Sequence, residues 1–371
     1  MRAAIPESFG LWHTGGMNLL HSIRLATPLG VAAALFSAPQ GGAQVAAPVV
    51  QALPAGQGLD FSGYLQLVEA KARAQGVSQP TIDMMTAGLT YNPRVVQLDR
   101  AQPGSNPGSP PAFWAYYRSH VDAARINGGR NAMQANRAVL PRIETQYGVP
   151  AKMLFAIWGK ESFYGRVKGD FDLARSLATL AYEGRRRELF EGELIALMKM
   201  AQRGVPRAKM VGSWAGAFGN PQFLPSVYLR IARDGDGDGF ADIWSNSSDT
   251  LASIAYYFQD AGWRAGEPWG VRASAPAGLD RSQFTERLES PSCPRVHARH
   301  SVWKTVGEWK ALGVTPRGPI ADSTMAVLFE PDGPENGSFL LTGNYRVILQ
   351  YNCSNYYALS VGLLADEIAR Q

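Results

Sequence analysis

Two cysteines and five histidines in 371 residues leave little material for a thiolate or polyhistidine metal site. The histidines (His13, His21, His120, His297 and His300) are scattered, and no His-Glu-x-x-His occurs, so zinc-hydrolase chemistry has no anchor. No Gly-rich loop ends in the Lys-Ser/Thr pair that holds nucleotide phosphates, and no Gly-x-Ser-x-Gly elbow presents a serine nucleophile. No repeat of fixed period is found, which argues against a solenoid. Charged residues make up only 18% of the chain, and the basic ones are spread out apart from Arg185-Arg186-Arg187. That dispersal argues against a nucleic-acid-binding arm, and no nucleic acid is expected as a partner.

What is present is a chain that is 46% hydrophobic with a net charge of +5. Its length suits two or three packed units or one large elaborated domain, and its charge suits an acidic polymer. Near the N-terminus Arg24 precedes an apolar run from Leu25 to Phe36, followed by small residues up to Gly41-Gly42-Ala43. This is the layout of a cleaved export signal, expected over residues 1–43 with Met17 as an alternative start. The apolar run is too short to span a bilayer, so no transmembrane segment is expected in the mature chain. No cysteine follows it, which removes a lipid anchor at that point; the expected address is the periplasm. Residues 44–58, rich in Pro, Ala, Gly and Gln, read as a linker. Cys293 and Cys353 fit an oxidising compartment, either as one disulfide or as two buried thiols.

Apolar spacing predicts helices over 61–75, 80–88, 113–126, 131–147, 150–161, 173–182, 187–202, 225–232 and 250–262. After Trp269 the texture changes. Residues 271–277 alternate, and short strands are expected near 296–298, 325–329 and 338–341. Residues 356–368 form an apolar helical pattern that must dock on a larger core. The fold class is therefore mainly α (α+β). Its expected parts are an N-terminal helical region (59–140), a helical core (141–268), a small mixed α/β segment (269–345) and a C-terminal stretch returning to the core (346–371).

The densest chemical signal is Gly148 to Arg166. Pro150 suits the first turn of a helix, after which Leu154, Ile157, Trp158 and Glu161 share one face. A carboxyl at the end of an apolar stripe is costly to ionise, and a raised pKa is what a general acid needs. A partner-satisfied structural glutamate gives the same spacing.

A second signal is Asp234-Gly-Asp-Gly-Asp-Gly-Phe-Ala-Asp242, which begins like a calcium loop. Asp234, Asp236 and Asp238 stand at the ligand positions, Phe240 offers a backbone carbonyl, and Asp249 stands in for the usual closing glutamate; Ser245 occupies that position. The alternative is a solvated acidic turn capping the next helix. Two further segments, Ser213 to Ser226 and Tyr351 to Tyr357, combine small, aromatic and amide side chains, as carbohydrate grooves do. A Gly-rich turn and a helix cap are the plain alternatives for them.

With Glu161, Ala-Gly-Ala-Phe-Gly-Asn-Pro-Gln-Phe-Leu-Pro-Ser (215–226), the Asp-rich loop and Tyr-Asn-x-Ser-x-x-Tyr (351–357) in that order, the chain resembles the B-type lytic murein transglycosylases. The resemblance extends from Phe61 to Ile368. It includes Leu98-Asp-Arg-Ala-Gln-Pro103, Leu177-Ala-Thr-Leu-Ala-Tyr182 with Gly184-Arg-Arg186, and Asn344-Tyr-Arg-Val-Ile348. It implies a lysozyme-like helical catalytic core and cleavage of the β-1,4 bond between N-acetylmuramic acid and N-acetylglucosamine, leaving 1,6-anhydro ends. Glu161 falls on the family's catalytic position. Ser213, Gln222, Tyr257, Asn352 and Tyr357, with Tyr351 beside them, fall on the glycan cleft. Asp234, Asp236, Asp238, Phe240 and Asp249 match its structural calcium loop over 234–249. The chain departs from the pattern in one extra residue before Asp249 and in Tyr256, where an Asn often stands. Peptidoglycan strands are the implied partner, with no organic cofactor and a monomeric chain. The competing readings are a hydrolytic muramidase, for which Asp170, Asp172 and Glu183 are the candidate second carboxylates, and a non-catalytic calcium-dependent wall-binding protein.

Overall fold

The computed structural model describes residues 58–101, 112–285 and 292–370. The expected signal segment, the linker up to residue 57 and the whole 102–111 stretch lie outside them. Among the described residues, no helix is long and apolar enough to cross a membrane.

The fold is built round the helix Ala151–Ser162. Nine of its twelve residues are buried, and the three that keep some exposed surface are its charged ones, Lys152, Lys160 and Glu161. A helix apolar on nearly every side belongs in the middle of a core. It packs against the closing helix Asn355–Ala369 and against Ala123–Ala135. Lys152 pairs with Asp366 at 2.8 Å at one end of the first of these contacts, and Glu161 meets Tyr357 at the other, so the two helices run antiparallel. Leu154, Phe155, Ile157, Leu359, Val361 and Leu364 are fully buried along this seam and its surroundings, each contributing about 1.5–3 kcal/mol of burial.

The N-terminal helices Phe61–Ala74, Gln79–Thr86 and Pro93–Arg100 lie against Leu173–Glu183 and Arg187–Gln202. Asp99, 1% exposed, is held there by Arg185 and Arg186 at 2.5 and 2.6 Å. The Leu98-Asp-Arg and Gly-Arg-Arg motifs are thus two sides of one ionic contact. Two of the three consecutive arginines are used inside the fold and do not form a basic patch.

A five-stranded antiparallel sheet follows in the order Trp303–Thr305, Met325–Phe329, Ser338–Leu341, Gly270–Ser274, Thr315–Pro316. Its second and third strands in that order pair with Val327 opposite Leu341 and Phe329 opposite Phe339. Those four side chains join the main core. The alternate residues Ala326, Leu328 and Leu340 join a second, smaller core with Val306 and Trp309. Both faces are therefore covered. The sheet is tied to the closing helix by Trp269, whose ring lies where a Cβ on Gly362 would approach within 2.5 Å; only glycine admits the indole.

Several local expectations are corrected. The expected strand near 296–298 is the short helix Pro294–His297, started by Pro294 after Cys293 in a left-handed conformation. The expected helix 113–126 is two, Phe113–His120 and Ala123–Ala135, because the Asp122 side chain accepts from Arg125 N–H and begins a new helix. The second of these runs into the expected helix 131–147, which resumes only at Leu140–Tyr147 with Pro141 in its first turn. The helix Pro93–Arg100 is absent from the apolar pattern, although Asn92 caps it and Pro93 opens it.

Candidate functional site

Glu161 sits in the last turn of its helix. Phe163 ends the helix in a left-handed conformation (φ 51°), and Tyr164 continues it (φ 58°). Two successive non-glycine residues there are strained, and the structure compensates. The Tyr164 ring lies over Gly128 and Gly159, either of which would clash with it if it carried a Cβ. Its hydroxyl donates to the Arg125 carbonyl at 2.6 Å. Ser162 Oγ donates to the Asn220 carbonyl at 2.7 Å, locking the helix end to the Ser213–Ser226 block.

The carboxyl of Glu161 is crowded by protein yet keeps part of its surface open. Burial raises its pKa from 4.5 to about 7, against the lowering effects of the Tyr357 hydroxyl, which donates to Oε1, and of Lys160. The negative end of the helix dipole adds to the cost of ionisation. The result is a carboxyl that exchanges its proton near neutrality. Burial, Tyr357 and Lys160 account for the shift, with no carboxylate among its causes. Asp172 caps Leu173–Glu183 and pairs with Arg207 at 2.5 Å. Glu183 pairs with Arg100 at 3.0 Å. Asp170 is exposed.

Tyr257 and Tyr351 gather on the same side, their ring centroids 4.6 Å apart. Tyr351 is buried and donates to the Pro221 carbonyl at 2.6 Å. It therefore braces the Ser213–Ser226 block from beneath, and its hydroxyl is not free for a ligand. Tyr257 donates to the Gln350 carbonyl at 2.8 Å. Ser213 Oγ accepts from Ala217 N–H at 3.0 Å and closes the turn of that block. Gln222 holds a left-handed backbone (φ 52°), and its Nε2 donates to the Gly219 carbonyl at 2.9 Å. Gln222 Oε1 and Asn352 Oδ1 are buried acceptors with no partner among the described residues. Unmatched buried acceptors are uncommon in folded proteins, and a donor-bearing ligand would satisfy them.

Lys160 and Tyr116 beside Glu161, and His120 behind Tyr116, carry no signal in the sequence that points to this site. Lys160 Nζ lies over the rings of Tyr116 and Tyr357, 5.0 and 5.7 Å from their centroids. Burial and then Arg125 lower its pKa to about 7. Tyr116 is pushed up to about 12 by burial and by the charge of Glu161, and it stacks on His120 with centroids 3.8 Å apart. The aromatic run 113–117 was visible in the sequence, but its approach to Glu161 is made by tertiary folding alone.

In the Asp-rich loop, one carboxylate oxygen each from Asp234, Asp236 and Asp249 lie within 4.8 Å of one another. Hard oxygen donors so grouped fit a cation such as calcium. Hydrogen bonds from Gly239 and Gly237 N–H hold the Asp234 carboxyl below its ordinary value. Asp249, fully buried, receives Gly235 and Asp242 N–H, each at 2.7 Å. Asp238 stands apart from that trio and accepts from Phe240 N–H at 2.8 Å. The Phe240 carbonyl accepts from Asp242 N–H at 3.0 Å. Cys293 and Cys353 are joined by a disulfide that connects the sheet region to the segment carrying Asn352 and Tyr357.

The profile of the transglycosylase SLT domain matches residues 60–366. Membrane-bound lytic murein transglycosylase B of Escherichia coli (strain K12) is 31% identical over 269 residues, 71% of this chain and 69% of that protein. Among solved structures, SltB3 from Pseudomonas aeruginosa in complex with NAG-anhNAM-pentapeptide is similar at a TM-score of 0.75 and 39% identity, over 84% of this chain and 80% of that one. The Escherichia coli lytic transglycosylase SLT35 in complex with calcium is similar at a TM-score of 0.67 and 27% identity, over 82% and 92%.

Proposed function

The chain belongs to the family of SLT-domain transglycosylases and is a lytic murein transglycosylase, and from that premise we propose that Glu161 alone carries both proton transfers of its reaction. The observation that carries this reading is the isolation of Glu161, with a pKa raised to about 7 and a tyrosine hydroxyl as its hydrogen-bond partner.

In the first step protonated Glu161 gives its proton to the glycosidic oxygen between the muramyl and glucosaminyl residues, and the bond to the anomeric carbon breaks. The muramyl N-acetyl oxygen assists at that carbon, so no protein nucleophile is required. In the second step the Glu161 carboxylate takes the proton of the muramyl C6 hydroxyl, whose oxygen closes the 1,6-anhydro ring as the N-acetyl oxygen leaves. The carboxyl is protonated again and ready for the next bond. Its position between acid and base at neutral pH suits both roles. Tyr357 steadies the carboxylate formed midway. The unmatched acceptors of Gln222 and Asn352 suit the acetamido N–H and the hydroxyls of the glycan, and Tyr257 and Tyr351 back the wall they stand on. A hydrolytic route would call for a second carboxylate beside Glu161; the ionic partners of Asp172 and Glu183 argue against either in that role.

Asp234, Asp236 and Asp249 would hold calcium, with Asp238 and the Phe240 carbonyl as the further ligands expected from the sequence. The ion would supply positive charge that organises the loop leading into Ser247–Asp260, a structural part separate from the proton transfers. The enzyme acts on peptidoglycan strands in the periplasm, reached through the N-terminal export signal.

Digestion of purified peptidoglycan followed by mass measurement of the fragments tests the reaction. Anhydro ends are about 18 Da lighter than hydrolysed ones, because no water is added. Reducing ends would replace this reading with the muramidase, and intact peptidoglycan with the binding protein.

A further inference from the structure

A cavity of about 330 Å³ opens between the helical core and the small sheet, bounded by Met153, Trp263, Trp269, Pro319 and Leu363. It is remote from Glu161. Tyr357, which touches Glu161, and Asp366, which lines the cavity, are nine positions apart on one helix. That is about 13 Å of rise and about 180° of rotation, which places them on opposite faces.

The charges round this cavity are unevenly committed. Its cations are Lys152, Arg272, Arg317 and Arg370, and its carboxylates are Glu267, Asp366 and Glu367. Asp366 pairs with Lys152 at 2.8 Å and accepts from the Trp269 indole at 3.3 Å. Glu367 pairs with Arg370 at 2.6 Å. Glu267 accepts from Gly343 N–H at 3.1 Å and faces Arg264 at 3.5 Å. Every carboxylate is engaged. Arg272 and Arg317, by contrast, have no carboxylate within 4.0 Å among the described residues. Arg272 stacks over Trp114 and Phe339, and Arg317 donates to Ser274 Oγ at 2.7 Å. Two guanidinium groups, Arg272 on the strand Gly270–Ser274 and Arg317 just past the edge strand Thr315–Pro316, are thus left to meet an anion.

We propose that this cavity is a second binding site, which takes a short peptide bearing a free carboxylate and an ammonium group. Arg272 and Arg317 receive the carboxylate through the forked geometry that guanidinium offers. Glu267 and Glu367, which line the same cavity, favour an ammonium group and repel a compact dianion such as phosphate. The indoles and prolines take the aliphatic skeleton, and the volume suits two or three amino-acid residues. Resting on the reading above, the source is the stem peptide of the cell wall. Because the cavity faces away from Glu161, it would hold a peptide of a neighbouring strand while another strand is cut.

The test is titration calorimetry of the full chain with a synthetic alanyl-glutamyl-diaminopimelate tripeptide, with the same peptide amidated at its carboxylates, and with inorganic phosphate. The free tripeptide is expected to bind one to one. Amidation, or Arg317→Gln, should weaken it at least tenfold, and Glu161→Gln should leave it unchanged. Arg317 is exposed, so its substitution keeps the fold, and a melting curve checks this. No heat at about 5 mM tripeptide overturns the proposal. So does equal binding to the Arg317→Gln variant, or phosphate binding as tight as the peptide. Since the tripeptide has no glycosidic bond, these outcomes are independent of whether the chain cleaves glycan by the route above.

Discussion

Replacing Glu161 with glutamine should destroy turnover and stabilise the protein at the same time, by an amount that depends on pH. In the folded chain this carboxyl titrates at about 7, against 4.5 when free of the fold. Between those values the folded protein binds a proton that the unfolded chain has lost, so stability falls as pH rises through the interval. At about 1.4 kcal/mol per unit, the full cost above pH 7 is about 3 kcal/mol. Below pH 4.5 the cost is absent, because both states are protonated. Glutamine keeps the shape, accepts the Tyr357 hydroxyl through its carbonyl oxygen and never ionises. Paired melting curves at pH 4 and pH 8.5 should therefore coincide at the acid end and separate by about 5 °C at the alkaline end, with the variant higher. Turnover on purified peptidoglycan should drop at least about 100-fold. A variant no more stable at pH 8.5, or one stabilised equally at both pH values, would refute the claim that burial raises this pKa.

Tyr357→Phe removes a hydrogen bond that favours the carboxylate. The alkaline limb of the rate profile should move up by about 1 unit, and a limb that stays in place would detach Tyr357 from the proton transfer. Chelation should lower the melting temperature, and calcium at about 100 times its dissociation constant should add back about 2.7 kcal/mol; identical melting curves with chelator and with calcium would exclude a bound ion. Gly362→Ala sets a Cβ within 2.5 Å of the Trp269 indole. It should cost about 1–3 kcal/mol by overpacking, read as a lower denaturation midpoint, and an unchanged midpoint would mean the sheet is free to shift.

The acid itself was legible because helical periodicity acts over four residues. Leu154, Ile157, Trp158 and Glu161 could be placed on one face without knowledge of anything else. The apolar closing helix was legible for the same reason, since Leu359, Leu363 and Leu364 need a core wherever they lie. Residues 296–298 were misread because Val-His-Ala carries no helical period of its own. The short helix is set by Pro294 and by the left-handed Cys293, whose partner is sixty residues away. Tyr116, Lys160 and His120 were missed for another reason. The place of Tyr116 and His120, and with it the ring over Lys160, depends on the angle at which Phe113–His120 crosses the closing helix, and no local pattern encodes a crossing angle. Tyr351 shows the limit of motif matching, for its place in the motif and its buried hydroxyl point to different roles.

The sheet whose alternate residues serve two cores bears on how much substitution it can tolerate. An ordinary amphipathic strand has a wet side on which every second position drifts freely. Between Ala326 and Phe329, and between Phe339 and Leu341, there is no such side. A polar replacement at any of these seven positions meets one core or the other, and a shift of register by one residue would spoil both. Mutational sensitivity should therefore run unbroken along both strands, without the two-residue rhythm usually taken as the mark of a β-strand. The same arrangement makes the sheet a stiff spacer that passes strain in either core directly to its neighbour.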